Sequence, residues 1–281
     1  DAMLARRLRA EPGLPRVVTP FEFRHDRWPE LTPFDATWLW GAYTLDSGWN
    51  VGYRIGNFEP YTSMPTRRTL HAWRGLSAAG RALGAARWGF GDVVEPAGAE
   101  PAAAAVLARF PVMAEDPSLP AVVRRVPARP RAYLAARLQS VDEAGAERFA
   151  LDPGSAAGDL TVVGGAVPSG YRPPRGEARL ALDQPEQVAV DLSADGPALL
   201  VLNDAYAPGW AASVDGRPAA ILPANYLVRG VWVPAGARRV EFAYRTPGLA
   251  AGWLAFLAGL SLARASTIRS MLRSRFSMEV A

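Results

Sequence analysis

The chain has 281 residues, 49% of them hydrophobic and 21% charged, which makes it globular rather than disordered. It has no cysteine, which excludes disulfides, thiolate metal sites and cysteine nucleophiles, and no cofactor or metal is expected. All 31 basic residues are arginine, against 27 acidic ones; their scatter through the chain argues against a nucleic-acid partner, which would need a basic patch.

Residues 1–15 read as a short arginine-rich helix closed by Pro12-Gly13. Residues 16–19 read as a strand stopped by Pro20, and a loop with Pro29 and Pro33 leads to Thr37-Trp-Leu-Trp40. The stretch 52–61 is rich in glycine and aromatics, poor helix material, and predicts an ordered loop. Its Tyr53, Asn57, Glu59 and Tyr61 form the densest polar–aromatic group of the chain. Such a loop either caps an active site and contacts its acceptor, or packs on its own domain. Leu70, Trp73, Leu76 and Leu83 share one helical face and predict a helix over 67–83. A strand follows at 87–94, then an alanine-rich helix at 102–110. Alternating strand and helix imply a small α/β unit over 1–120.

From residue 121 the pattern becomes one of short apolar segments, at 132–136, 160–163, 178–182, 187–192, 198–202, 210–214, 219–222, 227–233 and 239–244. Turn residues separate them at intervals of about ten, the signature of an antiparallel β-sandwich, jelly-roll-like, over 121–246. Asp215-Gly216 between two segments predicts a two-residue hairpin. The stretch 246–263 then carries no charge. It is about 27 Å long as a helix, close to the ~30 Å hydrocarbon core, and predicts a transmembrane helix over 247–264. Arg264, Arg269, Arg273 and Arg275 follow, so 265–281 reads as a cytoplasmic basic tail and the β-module as extracytoplasmic. The competing reading is a terminal helix buried in a soluble module; Gly248, Gly252 and Gly259 weaken that helix more than a membrane one. The fold class expected is α+β.

Five motifs occur in order: Asp-Ala-Tyr-Ala-Pro-Gly-Trp at 204–210, Val-Asp-Gly at 214–216, Asn-Tyr-Leu-Val-Arg-Gly-Val at 225–231, Pro-Ala-Gly at 234–236 and Val-Glu-Phe-Ala-Tyr at 240–244. Together they resemble the C-terminal part of the YfhO family of bacterial membrane proteins. The stretch from Gly52 to Trp88 resembles the same family more weakly. That family is similar to polytopic GT-C-type glycosyltransferases, which use a lipid-linked sugar donor at the outer membrane face. The resemblance implies an extracytoplasmic portion that shapes or covers the acceptor site, followed by a last membrane helix. Its partners would be the membrane and a lipid-linked sugar or cell-envelope glycan. The catalytic carboxylate of such proteins lies in an early loop between membrane helices, so no catalytic residue is assigned in this chain. The alternative is a membrane-anchored glycan-binding or scaffold domain without catalysis.

Three further candidate binding residues lie in the first motif. Trp210 either stacks on a sugar ring or packs the turn at one end of the module. Asp204 and Tyr206 either bind a glycan hydroxyl or a cation, or bond the turn backbone. His25 and His71 are the only histidines, too few for a histidine-rich metal site. Gly164-Gly165 reads as a turn rather than a phosphate cradle, since the chain has no lysine to serve one.

Overall fold

The computed structural model describes residues 8, 16–19, 56–58, 66–96, 101–115 and 121–278. The protein is mostly sheet, with a few helices. The first part holds β1 (Arg16–Val18), β2 (Gly56–Asn57), α1 (Arg67–Gly75), α2 (Ala78–Gly84), β3 (Asp92–Pro96), α3 (Pro101–Leu107), β4 (Val112–Glu115) and β5 (Ala121–Arg125). Its strands form one sheet in the order β2-β1-β3-β5-β4. β1 runs parallel to β2 and β3, and β5 antiparallel to β3 and β4.

The helix expected over 67–83 is two helices. Thr66 Oγ1 accepts from Thr69 N at 3.2 Å to start α1, and Ser77 Oγ accepts from Gly80 N at 3.2 Å to start α2. A hydroxyl two residues beyond Gly75 supplies a second N-cap, so the chain restarts rather than continues. The strand expected from residue 87 begins only at β3. Residues Ala85–Trp88 form a 3-10 turn that Gly89 ends at φ 81°. Trp88 and Phe90 alternate as strand residues do, yet glycine in the left-handed region is a helix-terminating signal.

The second part holds β6 (Ala132–Leu134), β7 (Arg137–Val141), α4 (Glu143–Leu151), β8 (Leu160–Gly164), β9 (Gly176–Asp183), β10 (Gln187–Ala194), β11 (Ala198–Ala205), β12 (Trp210–Val214), β13 (Arg217–Ala219), β14 (Ile221–Ala224), β15 (Val228–Val233) and β16 (Arg239–Tyr244). One sheet, β13-β12-β16-β10-β9, is antiparallel throughout. The other, β6-β11-β15-β14-β8-β7, is antiparallel except that β7 and β8 run parallel. Parallel neighbours need a crossover, which is the place α4 fills in a region that reads as strands alone. Asp142 caps α4 by accepting from Gly145 N at 2.7 Å. The expected hairpin joins β12 to β13, with Asp215 at φ 48° and Gly216 at φ 78°.

β11 explains the layering. Its residues 198–203 are all buried. Ala198, Leu200 and Leu202 join an apolar cluster with Val188, Val190, Val214, Val240 and Phe242 of the neighbouring sheet. Leu199 and Val201 face a second cluster with Trp88, Leu76, Ala150 and Val18. A strand buried on both faces reads as an unbroken apolar run, as 198–202 does.

The last element, α5 (Leu249–Met278), runs past the expected end at 264. From Leu249 to Leu262 its large apolar side chains are exposed, Leu254 at 69% and Leu262 at 72%, so that stretch is not tucked into the core of the module. Among the described residues no helix is long and apolar enough to cross a membrane. The span expected over 247–264 therefore goes unmatched. Pro247 and Gly248 precede the helix, and its many alanines and two glycines dilute its hydropathy.

Candidate functional site

The three sheets converge at the end of β11. A bulge between Leu202 and Ala205 breaks its register with β15 and swings Asp204 out of the ladder. Arg131 grips that carboxylate with two hydrogen bonds, Nε to Oδ1 and Nη2 to Oδ2, both at 3.0 Å. Arg229, from β15, approaches Oδ2 at 3.6 Å, and Arg16, from β1, approaches Oδ1 at 3.9 Å. Arg131 also donates through Nη1 to Asp183 Oδ2 of β9. One carboxylate thus ties together strands from all three sheets.

Burial alone would push the Asp204 carboxyl up, but Arg131, with Arg16 and Arg229, holds it below the usual carboxylate range. Burial lowers Arg16 to about 10 against the opposing pull of Asp204. Burial likewise lowers Arg229 to about 10. The Arg229 guanidinium stands over Trp210, its Cζ 3.8 Å from the ring centroid, and 5.4 Å from that of Phe242. Tyr244 closes on Trp210 at 5.3 Å between ring centroids.

The cluster opens on a cavity of about 340 Å³, lined among others by Arg16, Phe58, Trp88, Phe90, Asn203 and Asp204. Phe58 stacks on Trp88 at 5.0 Å, and Arg16 sits 4.0 Å over the Phe90 ring. Asn203 is fully buried and donates through Nδ2 to Pro130 O at 2.8 Å. Its Oδ1 has no hydrogen-bond partner among the described residues, and neither does Arg16 Nη1. Gly89 makes this close approach possible: a Cβ there would stand 3.2 Å from both Arg16 Nη1 and Asn203 Nδ2.

The structure brings Asp204 and Trp210 together through Arg229. Asp204 is surrounded by guanidinium groups rather than turn amides, so charge disfavours a cation beside it. Among the described residues no group of acidic or histidine side chains is arranged to hold a metal ion. Tyr206 stands apart, 5.3 Å from the Arg68 guanidinium, its backbone amide donating to Leu227 O at 2.7 Å. Asn57 lies in β2, with Phe58 N donating to Val17 O at 3.1 Å. Tyr53, Glu59 and Tyr61 fall outside the described residues. Sequence reasoning missed Arg16, Arg131, Asp183, Asn203 and Arg229. Only Arg229 left a local signal, a charge within the apolar run 227–233.

A family model described as "Bacterial membrane protein YfhO" matches residues 180–255, from within β9 into α5. The weaker resemblance over 52–88 lies outside the matched residues. Among solved structures, the arabinofuranosyltransferase AftD from Mycobacteria is 20% identical with a TM-score of 0.22, the match covering 24% of this chain and 5% of that one. A mutant of that protein is 21% identical with a TM-score of 0.23, covering 24% of this chain and 6% of the other. The chain thus spans a small fraction of these structures. No curated protein matches it. Residues 180–255 are a region of the YfhO family of bacterial membrane proteins.

Proposed function

We propose that this chain is the extracytoplasmic C-terminal portion of a polytopic, GT-C-like membrane glycosyltransferase. The two sheets that share the core around Leu200, Val190 and Phe242 form a β-sandwich that shapes or covers the acceptor site. Catalysis resides elsewhere in the parent protein, which transfers sugar from a lipid-linked donor. The helix from Leu249 holds the module at the bilayer, and the arginines after Ala263 keep that end cytoplasmic.

One observation carries the reading. A single family region runs unbroken from β9 through the second sheet into a helix whose large apolar side chains from Leu249 to Leu262 are exposed. A soluble protein rarely leaves such a surface bare. The test is sugar transfer by membranes that contain the intact protein, with a polyprenyl-phosphate-linked sugar as donor and cell-envelope glycan as acceptor. Tyr206→Ala is expected to raise the acceptor KM and leave the donor KM unchanged. An intact protein that transfers no sugar, or a variant that alters the donor KM alone, contradicts the proposal.

A further inference from the structure

We infer that the base of the β-module, the turn at Pro208-Gly209 with Trp210, Tyr244 and Arg245, lies in the headgroup layer of the bilayer and contacts lipid there. This rests on the tether proposed above and deepens it: the helix does not merely leash the module but seats one end of it on lipid.

Length sets the first constraint. The charge-free stretch 246–263 spans about 27 Å as a helix, against a hydrocarbon core of about 30 Å. A span on the short side leaves no slack between the last strand and the bilayer, so the membrane surface reaches at least Thr246. β16 ends at Tyr244, and Leu249 N donates to Thr246 O at 3.3 Å. That bond folds 246–249 into a turn and brings the helix start within about 7 Å of Thr246. The turn at 208–209 is fixed to the same junction. Arg245 N donates to Gly209 O at 2.8 Å, and a Cβ on Gly209 would stand 3.1 Å from Pro247 Cδ. The headgroup layer is about 5–7 Å deep on each side, so the turn falls within it.

The chemistry of this end agrees with that depth. Residues 205–210 carry no charge, and Pro208 is exposed. Trp210 and Tyr244 are half-buried, their ring centroids 5.3 Å apart. Among the described residues neither Trp210 Nε1 nor Tyr244 Oη makes a hydrogen bond. Rings with an apolar body and an unmet polar tip suit the boundary between hydrocarbon and water. Arg245 is exposed and in no ion pair among the described residues, which leaves its charge free at the depth of the lipid phosphates. Glu186, whose carbonyl accepts from Tyr244 N at 2.8 Å, adds a negative charge at the same end, so the contact does not depend on anionic lipid.

The experiment places one thiol at a time in the full chain, as Pro208→Cys, Arg245→Cys or Glu177→Cys, each labelled with a small fluorophore and checked for an unchanged melting transition. β9 and β16 run in the same direction, both antiparallel to β10, so Glu177 stands about 20 Å up the strand from Asp183 at the base. Each chain is reconstituted in vesicles of phosphatidylethanolamine and phosphatidylglycerol that carry a nitroxide on the headgroup, floated on a density gradient, and compared with the same chain in vesicles without nitroxide. The labels at 208 and 245 should lose at least about half their emission and the label at 177 under about a tenth, because 20 Å exceeds the depth of the headgroup layer. Chains that float but show no more quenching at 208 and 245 than at 177 overturn the inference and leave the tether standing. Chains that do not float remove the tether and this contact together.

Discussion

Asp204→Asn removes one charge and changes almost nothing in shape, so it isolates the role of the buried carboxylate. In the native protein that carboxylate is 13% exposed and faces Arg131 in a bidentate pair at 3.0 Å. Arg229 at 3.6 Å and Arg16 at 3.9 Å add two more positive charges. Breaking a buried ion pair by deleting one partner costs about 3–5 kcal/mol, because the remaining charges stay buried and uncompensated. For a protein of this size that corresponds to a fall in Tm of roughly 10 °C. Asp183 provides the internal control. It is 27% exposed and among the described residues its only ion pair is with Arg131, so Asp183→Asn should cost about 1 kcal/mol. Urea unfolding of the chain in detergent, followed by tryptophan fluorescence, measures both. The pH dependence adds a sign. Asp204 is held below its unfolded value, so its stabilisation is complete above about pH 4 and is lost as the pH falls toward the depressed folded value. The native protein should therefore lose stability steeply below about pH 4, and Asp204→Asn should show a flatter acid limb. If Asp204→Asn costs under about 1 kcal/mol, or no more than Asp183→Asn, the reasoning fails.

Trp210→Ala should cost about 2–3 kcal/mol, less than a fully enclosed tryptophan because Trp210 is half-buried, and urea unfolding reads it directly. Much of that loss comes from stripping the ring off Arg229. Gly209→Ala should cost about 2 kcal/mol or more: Gly209 has φ 97°, and a Cβ would meet Tyr244 Cε2 at 2.6 Å and Arg245 O at 2.7 Å. Leu254→Asp with Leu257→Asp should leave the melting of the module unchanged and abolish co-flotation of the chain with lipid vesicles, since both side chains are exposed on α5.

The strands of the second part were legible because burial wrote itself into local pattern. β11 is apolar at every position from 198 to 202 as it lies between two cores, and the Asp215-Gly216 turn carries its own backbone requirement. α4 was not legible: only Ala146 and Ala150 of its residues are buried, so its sequence shows little apolar stripe, and Asp142 as its cap is a single residue. The break between α1 and α2 hid behind a continuous helical face and turned on one serine hydroxyl. Within the site, Asp204 stood out as a polar end to an apolar strand. Its partners did not, because Arg16, Arg131 and Arg229 come from strands or loops far apart in the chain. Among 31 arginines nothing local marks those three. Convergence of distant elements is a property of topology, which the neighbours of a residue in sequence do not record.

The central claim is that a β-module stands at the outer face of a bilayer, tethered by the helix that follows it. Because the chain lacks cysteine, a single thiol placed in it reports its own side of the membrane once any cysteines elsewhere in the parent protein are replaced. Glu177→Cys, exposed on β9, and Arg275→Cys, in the basic tail, are expressed separately in the intact parent protein and treated in whole cells with a membrane-impermeant maleimide. The account predicts labelling of the first without permeabilisation and of the second only after it. Labelling of Glu177→Cys only after permeabilisation, or recovery of both variants in the soluble fraction without detergent, would contradict it.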